Sequence, residues 1–437
     1  MVKSQPISRL VAGCAAAGVL LATALVIGPL GGAEEHVITG SVLFTFGAGW
    51  GLLALATTRW TAHPQRWATT LGSAMMVTGA ALLVCAPGAD TLDTLGWIWP
   101  PILLGLLAMV VVGVHRELPG WSRICVVYPL LTIYAVTGVG GAYQTVRESI
   151  DRRAHQPSGQ LVDVGGYRLH LTCAGSGTPT VVLESGLGET AAYWEWISTE
   201  LAYDTRVCVY DRAGRGWSEP APGVQDGLDV AADLKALLDR AGIPAPFVLV
   251  GHSSGAQYVR IFAGRYPERV AGVVLLDGQP ADALEQLPDY PAFYRGFRRI
   301  SALLPSLARV GLGQFVVRAD PALPRAARDT RRFHQLSATL YRSLRDEVAE
   351  LPASLSEARS FQSLGNRPLV VVSAAQDAQP GWMPLQDRLA ALSTNSRHRV
   401  VPCTHTALVT SQVAARWSIQ AIRDVIKAVR FTTLLPA

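Results

Sequence analysis

The stretch Val248-Leu249-Val250-Gly251-His252-Ser253-Ser254-Gly255-Ala256 decides how the last two-thirds of this chain is read. A β-branched apolar run ends abruptly in Gly-x-Ser-x-Gly, and a helix-like segment from Ala256 to Tyr266 follows. A serine on so sharp a strand-to-helix turn takes strained backbone angles, so both flanking positions must be nearly free of side chain. Its hydroxyl then stands exposed above the sheet, beside the positive end of the helix. Ser253 is therefore a candidate nucleophile.

Working outward, the flanking sequence alternates between strand and helix. Leu161–Val164 and Tyr167–Cys173, joined through Gly165-Gly166, read as a hairpin. Thr180–Glu184, Arg206–Tyr210, Phe247–Val250, Val270–Leu276, Pro368–Ser373 and His398–Val401 are short apolar runs separated by helical stretches. Such alternation implies a mostly parallel sheet, here of eight strands, covered by helices on both faces. Between Asp277 and Asn366 lies a long segment of helix formers, an insertion at about 281–366.

An antiparallel front hairpin, parallel strands, and a serine after the fifth strand resemble the α/β-hydrolase superfamily. Cys208-Val209-Tyr210-Asp211-Arg212-Ala213-Gly214-Arg215-Gly216-Trp217-Ser218 resembles the turn after that family's fourth strand. Together with the apolar N-terminal third, the whole is similar to membrane-anchored serine hydrolases of actinobacteria. The resemblance implies an α/β-hydrolase domain over 151–437, with the insertion as a helical cap forming a substrate pocket.

It also implies where the remaining chemistry sits. Serine is a poor nucleophile without a neighbouring base, and the family keeps its histidine after the last strand. Val401-Pro402-Cys403-Thr404-His405 supplies one there, out of nine histidines. The imidazole needs a carboxylate to hold its tautomer; Asp377, after the seventh strand, is the expected acid. Asp277, after the sixth, is the rival. Asp211 is expected to brace its own loop. Two backbone N–H groups must receive the oxyanion: that of Ser254, and that of Leu187 in Ser185-Gly186-Leu187-Gly188. Serine at 253 excludes the aspartate-based epoxide and haloalkane chemistries of this fold, leaving acyl transfer from a small-molecule or lipid ester or amide. An acyltransferase on the same triad, and a non-catalytic receptor or scaffold keeping the fold, are the alternatives. No cofactor and no metal are expected, since no Cys/His cluster has ligand spacing and no phosphate-binding Gly-rich loop occurs.

The N-terminal third is of another kind. The chain has 437 residues, and its charged fraction is only 16% because the apolar excess is concentrated there. Leu10–Gly32, Val37–Thr58, Ala68–Ala89, Leu95–Val114 and Ile124–Val146 carry no ionisable side chain other than thiol and phenol groups. Each is long enough to cross a hydrocarbon core of ~30 Å as a helix. Residues 1–150 are thus expected to be an all-α transmembrane bundle of about five spans. Gly47-x-x-x-Gly51 reads as incidental to its packing. Lys3, Arg9, Arg59, Arg66, Arg116 and Arg123 fall in one set of alternate loops, and Glu34, Glu35, Asp90 and Asp93 in the other. The basic side is cytoplasmic by the positive-inside rule, and Trp60, Trp67, Trp97, Trp99 and Trp121 mark the interfaces. A multi-pass protein of the cell membrane follows, with the lipid bilayer as its partner and its C-terminal domain extracytoplasmic. The net charge of +5 is scattered, which argues against a nucleic-acid partner. In an oxidising compartment, Cys173 and Cys208, on strands that are neighbours in the fold it resembles, are expected to form a disulfide.

Overall fold

The structure, a computed structural model, describes residues 7–118, 120, 123–154, 157–313 and 321–436. Lys3 and Trp121 lie outside the described residues. The chain divides into two compact units.

The first unit, Met1–Ala154 with Arg298–Val316 and Leu336–Ala338, is helical. Helices α1 (Ile7–Ile27), α2 (Glu35–Trp60), α3 (Arg66–Cys85), α4 (Trp99–Glu117) and α5 (Tyr128–Ala154) form its body. A π-helical turn, Arg123–Val127, leads into α5. Five helical stretches here, Arg9–Ile27, Glu35–Trp60, Arg66–Cys85, Trp99–Glu117 and Arg123–Ala154, are long and apolar enough to cross a membrane. Gly47 is not incidental. A Cβ there would lie 2.7 Å from the Met76 nitrogen and 2.8 Å from the Gly72 carbonyl, so α2 and α3 approach only because the residue is small. Their cores share Trp50, Leu53, Trp67, Leu71, Leu107 and Val114.

The second unit, His155–Phe297, Val317–Gln335 and Thr339–Ala437, holds an eight-stranded sheet. Its strands are β1 (Gln160–Asp163), β2 (Arg168–Ala174), β3 (Thr180–Glu184), β4 (Val207–Tyr210), β5 (Phe247–His252), β6 (Val270–Leu276), β7 (Leu369–Ala374) and β8 (Ser396–Val401). The spatial order is β1-β2-β4-β3-β5-β6-β7-β8. The pairs β1/β2 and β2/β4 are antiparallel and every other pair is parallel. Alternate residues of the central strands feed two cores. Val182 and Leu249 point to one, with helices α6 (Gly227–Arg240) and α7 (Gly255–Arg265). Val181, Leu183, Val248 and Val250 point to the other. Burial on both faces explains why these strands read as unbroken apolar runs rather than alternating ones.

The Cys173–Cys208 disulfide is present. The two residues are direct partners in the β2/β4 register, with Cα atoms 4.1 Å apart, the spacing of a non-hydrogen-bonded antiparallel pair.

The inserted segment differs from a single cap over 281–366. Helix α8 (Tyr290–Arg309) belongs to the sheet unit as far as Phe297 and to the helical unit from Arg298 onward. Ala302 packs with Val26 and Ile38. Arg309 pairs with Glu35, and with Asp93 at 2.8 Å. Helix α9 (Ala338–Ser360) lies in the sheet unit from Thr339. The boundary expected near residue 150 falls at Ala154.

Candidate active site

Ser253 sits between the end of β5 and the start of α7. Its φ is +54°, a left-handed conformation that a residue with a Cβ holds only when its surroundings enforce it. Two hydrogen bonds do so: Ser253 N–H donates to the Leu276 carbonyl at 3.1 Å, and Gln279 N–H to the Ser253 carbonyl at 2.8 Å. The flanking glycines are steric necessities. A Cβ at Gly251 would meet the Ala256 nitrogen at 2.7 Å, and one at Gly255 the Glu184 carbonyl oxygen at 2.4 Å.

His405 follows β8, and its Nδ1 lies 2.6 Å from Asp277 Oδ2. Asp277 is 3% exposed, and its other oxygen accepts Trp382 Nε1–H at 2.8 Å and Ala374 N–H at 3.3 Å. With the carboxylate as acceptor, Nδ1 carries the proton and Nε2 is left with a free lone pair. The expectation of Asp377 on the imidazole is corrected here. Both Asp377 oxygens accept the backbone N–H of His405, at 2.8 and 3.0 Å. Asp277 directly follows β6, the immediate neighbour of the strand that leads into Ser253, whereas Asp377 follows β7, one strand further out. Asp377 thus anchors the loop, and Asp277 holds the ring. Asp277 also has a positive φ of 44°, so a second strained position stands beside the first.

The loop Ser185–Gly188 is next to Ser253: a Cβ at Gly186 would lie 2.9 Å from Ser253 Cβ. Ser254 is the N-cap residue of α7, so its N–H is one of the amides at that end with no partner inside the helix. Asp211 braces its own turn as expected. It accepts His170 Nδ1 at 2.9 Å, Ala191 N–H at 2.8 Å and Trp217 N–H at 3.3 Å. Cys403, two residues before His405, is no competing nucleophile. Burial, then the charges of Asp277 and Asp377, push its thiol up to about 11.

Several buried charged residues around the site were not singled out from sequence. His252 Nδ1 meets Glu189 Oε2 at 3.0 Å, and its Nε2 lies 3.2 Å from the His405 carbonyl. The two imidazole rings lie 4.7 Å apart. Burial alone would depress His252, but the Glu189 charge and hydrogen bond outweigh it and raise the imidazole above its ordinary value. Glu189 is conversely held low against the effect of burial, by His252 and by the Gly186 amide. Arg212, Arg215, Glu184 and Glu347 form a second buried cluster. Burial, then the Arg212 cation, draws Arg215 down to about 9, so it stays charged at neutral pH. Two arginines and an acid within a few residues of a Gly-rich turn were the only available signal.

The model of the family described as the alpha/beta hydrolase fold matches residues 179–411. YqjL of Bacillus subtilis (strain 168) is 26% identical over 228 residues, which cover 51% of this chain and 74% of that protein. Epoxide hydrolase A of Mycobacterium tuberculosis is 32% identical over 170 residues, 38% of this chain and 52% of that one. Alignments to three other curated relatives cover only 31%, 19% and 37% of their lengths. Among solved structures, the lip1 protein of Acinetobacter baumannii AYE superposes with a TM-score of 0.51 at 16% identity, over 66% of this chain and 97% of its own. That likeness is one of fold alone. With the family model covering more than half of the 437 residues, and the strand order, the serine turn and the histidine loop all in that family's arrangement, the chain belongs to the alpha/beta hydrolase fold family.

Proposed function

We propose that this protein is a membrane-anchored serine hydrolase that cleaves a carboxylic ester or amide through a covalent acyl-enzyme. The observation that carries the reading is the His405–Asp277 pair at 2.6 Å in one unit with a serine strained at +54°. Neither a strained serine nor a tautomer-fixed imidazole is needed to stabilise the fold.

In this reading His405 Nε2 takes the Ser253 hydroxyl proton as Oγ attacks the acyl carbonyl carbon. The carbonyl electron pair moves onto oxygen, which is received by the N–H groups of Ser254 and Leu187; each such donor contributes on the order of 10²–10³ in rate. Collapse expels the alcohol or amine, which leaves with the proton from His405. Water then enters and gives His405 a proton as it attacks the acyl carbon, and His405 passes that proton to Ser253 Oγ as the acid is released. Asp277, on Nδ1, stabilises the imidazolium in both halves. The substrate is a small-molecule or lipid acyl compound, and the chemistry requires neither metal nor cofactor. Five helices apolar enough to cross a membrane support the anchoring. The loop-charge asymmetry and the disulfide support a catalytic domain on the extracytoplasmic face of the cell membrane.

The test is fluorophosphonate labelling of detergent-solubilised full-length protein. Labelling of the wild type and none of a folded Ser253→Ala variant is the expected result. Unchanged labelling or ester turnover in that variant would end the assignment.

A further inference from the structure

The peptide Gly186–Leu187 carries on one side the N–H read as an oxyanion donor and on the other the Gly186 carbonyl. That carbonyl is unusually well held. It accepts Arg212 Nη2–H at 2.9 Å, Arg215 Nη1–H at 2.8 Å and Glu189 N–H at 3.3 Å. The same arginines reach along the loop: Arg212 Nη1 donates to the Ser185 carbonyl at 2.5 Å, and Arg215 Nη1 to that of Glu189 at 3.3 Å. Behind them stands Glu347 of α9, a residue of the inserted segment. It pairs with Arg212 at 3.0 Å and with Arg215, and accepts the Ser254 hydroxyl at 3.1 Å. Glu184 pairs with Arg212 from the sheet side and balances the second charge. All four charged residues are nine-tenths or more buried, with Arg215 at 1% exposure.

We propose that Glu347, Arg212 and Arg215 are positioning residues that set both halves of the oxyanion hole at once. The inference rests on the hydrolase reading and deepens it. A trans peptide is planar, with C=O and N–H pointing in opposite directions. Fixing the Gly186 carbonyl with two guanidinium donors therefore fixes the direction of the Leu187 N–H. Donors on the carbonyl also polarise the peptide and strengthen the N–H as a donor in turn. The loop needs such help, because Gly186 and Gly188 leave its backbone free to adopt other conformations; Gly188 has a φ of +71°. Glu347 completes the set by holding the Ser254 side chain, whose own N–H is the second donor. Stability alone does not account for the cluster. Burying ions costs several kcal/mol each, and apolar replacements of such networks are often as stable or more so. What a buried cation pair provides here, and an apolar cluster would not, is a fixed dipole direction at the reacting oxygen.

The experiment measures p-nitrophenyl butyrate turnover per active site, titrated with a fluorophosphonate, in full-length wild type, Glu347→Gln and Arg215→Lys. It also measures the affinity of a trifluoromethyl ketone, whose hemiketal oxygen occupies the hole. Glu347→Gln keeps the shape and removes the charge. Arg215→Lys keeps the charge and withdraws the fork. Per titrated site, kcat is expected to fall ~10–100-fold with KM changed less than about threefold, and ketone affinity to fall in the same proportion. Glu347→Asp should recover part of both losses. A purely structural cluster would reduce the number of titratable sites and leave kcat per site and ketone affinity unchanged; that result overturns the proposal. If Glu347→Gln fails to fold, Arg215→Lys carries the same expectation alone. If wild type neither labels at Ser253 nor turns over ester, the hydrolase reading itself fails, and the inference falls with it.

Discussion

Replacing Asp277 by asparagine should cost far more activity than the same change at Asp377, and the structure says why. Asp277 Oδ1 is held by the Trp382 indole N–H and the Ala374 amide. An asparagine in its place would keep its carbonyl oxygen on those two donors. Its NH₂ would then face His405 Nδ1, 2.6 Å from the present Oδ2, and would force the proton from Nδ1 to Nε2. The nitrogen that accepts the Ser253 proton in the proposed mechanism would then be the protonated one. Loss of the carboxylate in the serine-protease template lowers kcat by about 10⁴, which is about 5 kcal/mol of barrier. Asp377 presents a different case. It is exposed, and both its oxygens accept one backbone N–H, so an asparagine oxygen still makes that bond. The loss is the difference between a charged and a neutral acceptor, about 1 kcal/mol, further reduced by solvent screening. Asp377→Asn should therefore lower kcat less than about tenfold. Steady-state hydrolysis of p-nitrophenyl butyrate by both variants decides. A loss of three orders of magnitude in Asp377→Asn, with Asp277→Asn close to wild type, would refute the assignment of the acid.

Three further outcomes are expected. Changing Cys173 and Cys208 to serine opens a loop with a sequence separation of 35 residues, which in the chain-entropy description lowers stability by on the order of 3–4 kcal/mol. Denaturant unfolding reads this, and free thiols at both positions in protein from intact cells would contradict it. Glu357 on α9 is pushed up to about 7, by burial and then by the Asp226 charge, from an ordinary 4.5. Its folded pKa is raised, so the stability it contributes is full below about 4.5 and is lost as pH rises through about 7. Glu357→Gln should then reduce the difference in Tm between pH 5 and pH 8, and an unchanged difference counts against that coupling. A reporter fused after Ala437 should be active only outside the cytoplasm; activity inside would mean an even number of crossings or an inverted arrangement.

The parts of this fold that a reader could take from the chain are those with local rules. Gly251 and Gly255 announce the turn because nothing larger fits, and the apolar runs announce buried strands because both faces are covered. Cys173 and Cys208 needed only adjacent strands in register. The acid was harder. Asp277 and Asp377 both follow strands, and both in fact contact His405, one through the ring and one through the backbone. Which does which depends on side-chain direction at a strained residue, Asp277 with φ +44°, and no periodicity encodes that. Glu347 lies more than ninety residues from Ser254 and reaches it across the fold. Helix formers between β6 and β7 read as one cap. The pattern did not show that Ala302, Ser306 and Arg309 pack with the N-terminal helices, because the deciding groups are single charges such as Arg309 rather than a repeat.

Arg309 also bears on the sidedness of the helical unit. It pairs with Glu35 at the start of α2 and with Asp93 between α3 and α4, and donates to the Leu92 carbonyl at 2.9 Å. Ser306, one turn earlier, shares a hydrogen bond of 2.7 Å with Thr39. Ser306 and Arg309 therefore sit at the acidic ends of the spans, opposite the ends that carry Arg59, Arg66, Arg116 and Arg123. A chain entering from the basic side and crossing five times emerges at those acidic ends after Ala154, and everything later in sequence stays there. Four or six crossings would deliver the later residues to the basic side, where Arg309 could reach neither Glu35 nor Asp93. The contact thus agrees with the odd number of spans proposed from apolar length and loop charge. It also accounts for a costly feature: Glu35 is 2% exposed, and a carboxylate so placed beside apolar helices calls for a cation. The inserted segment supplies it, so residues of the enzyme's own insertion complete the charge balance of its proposed anchor.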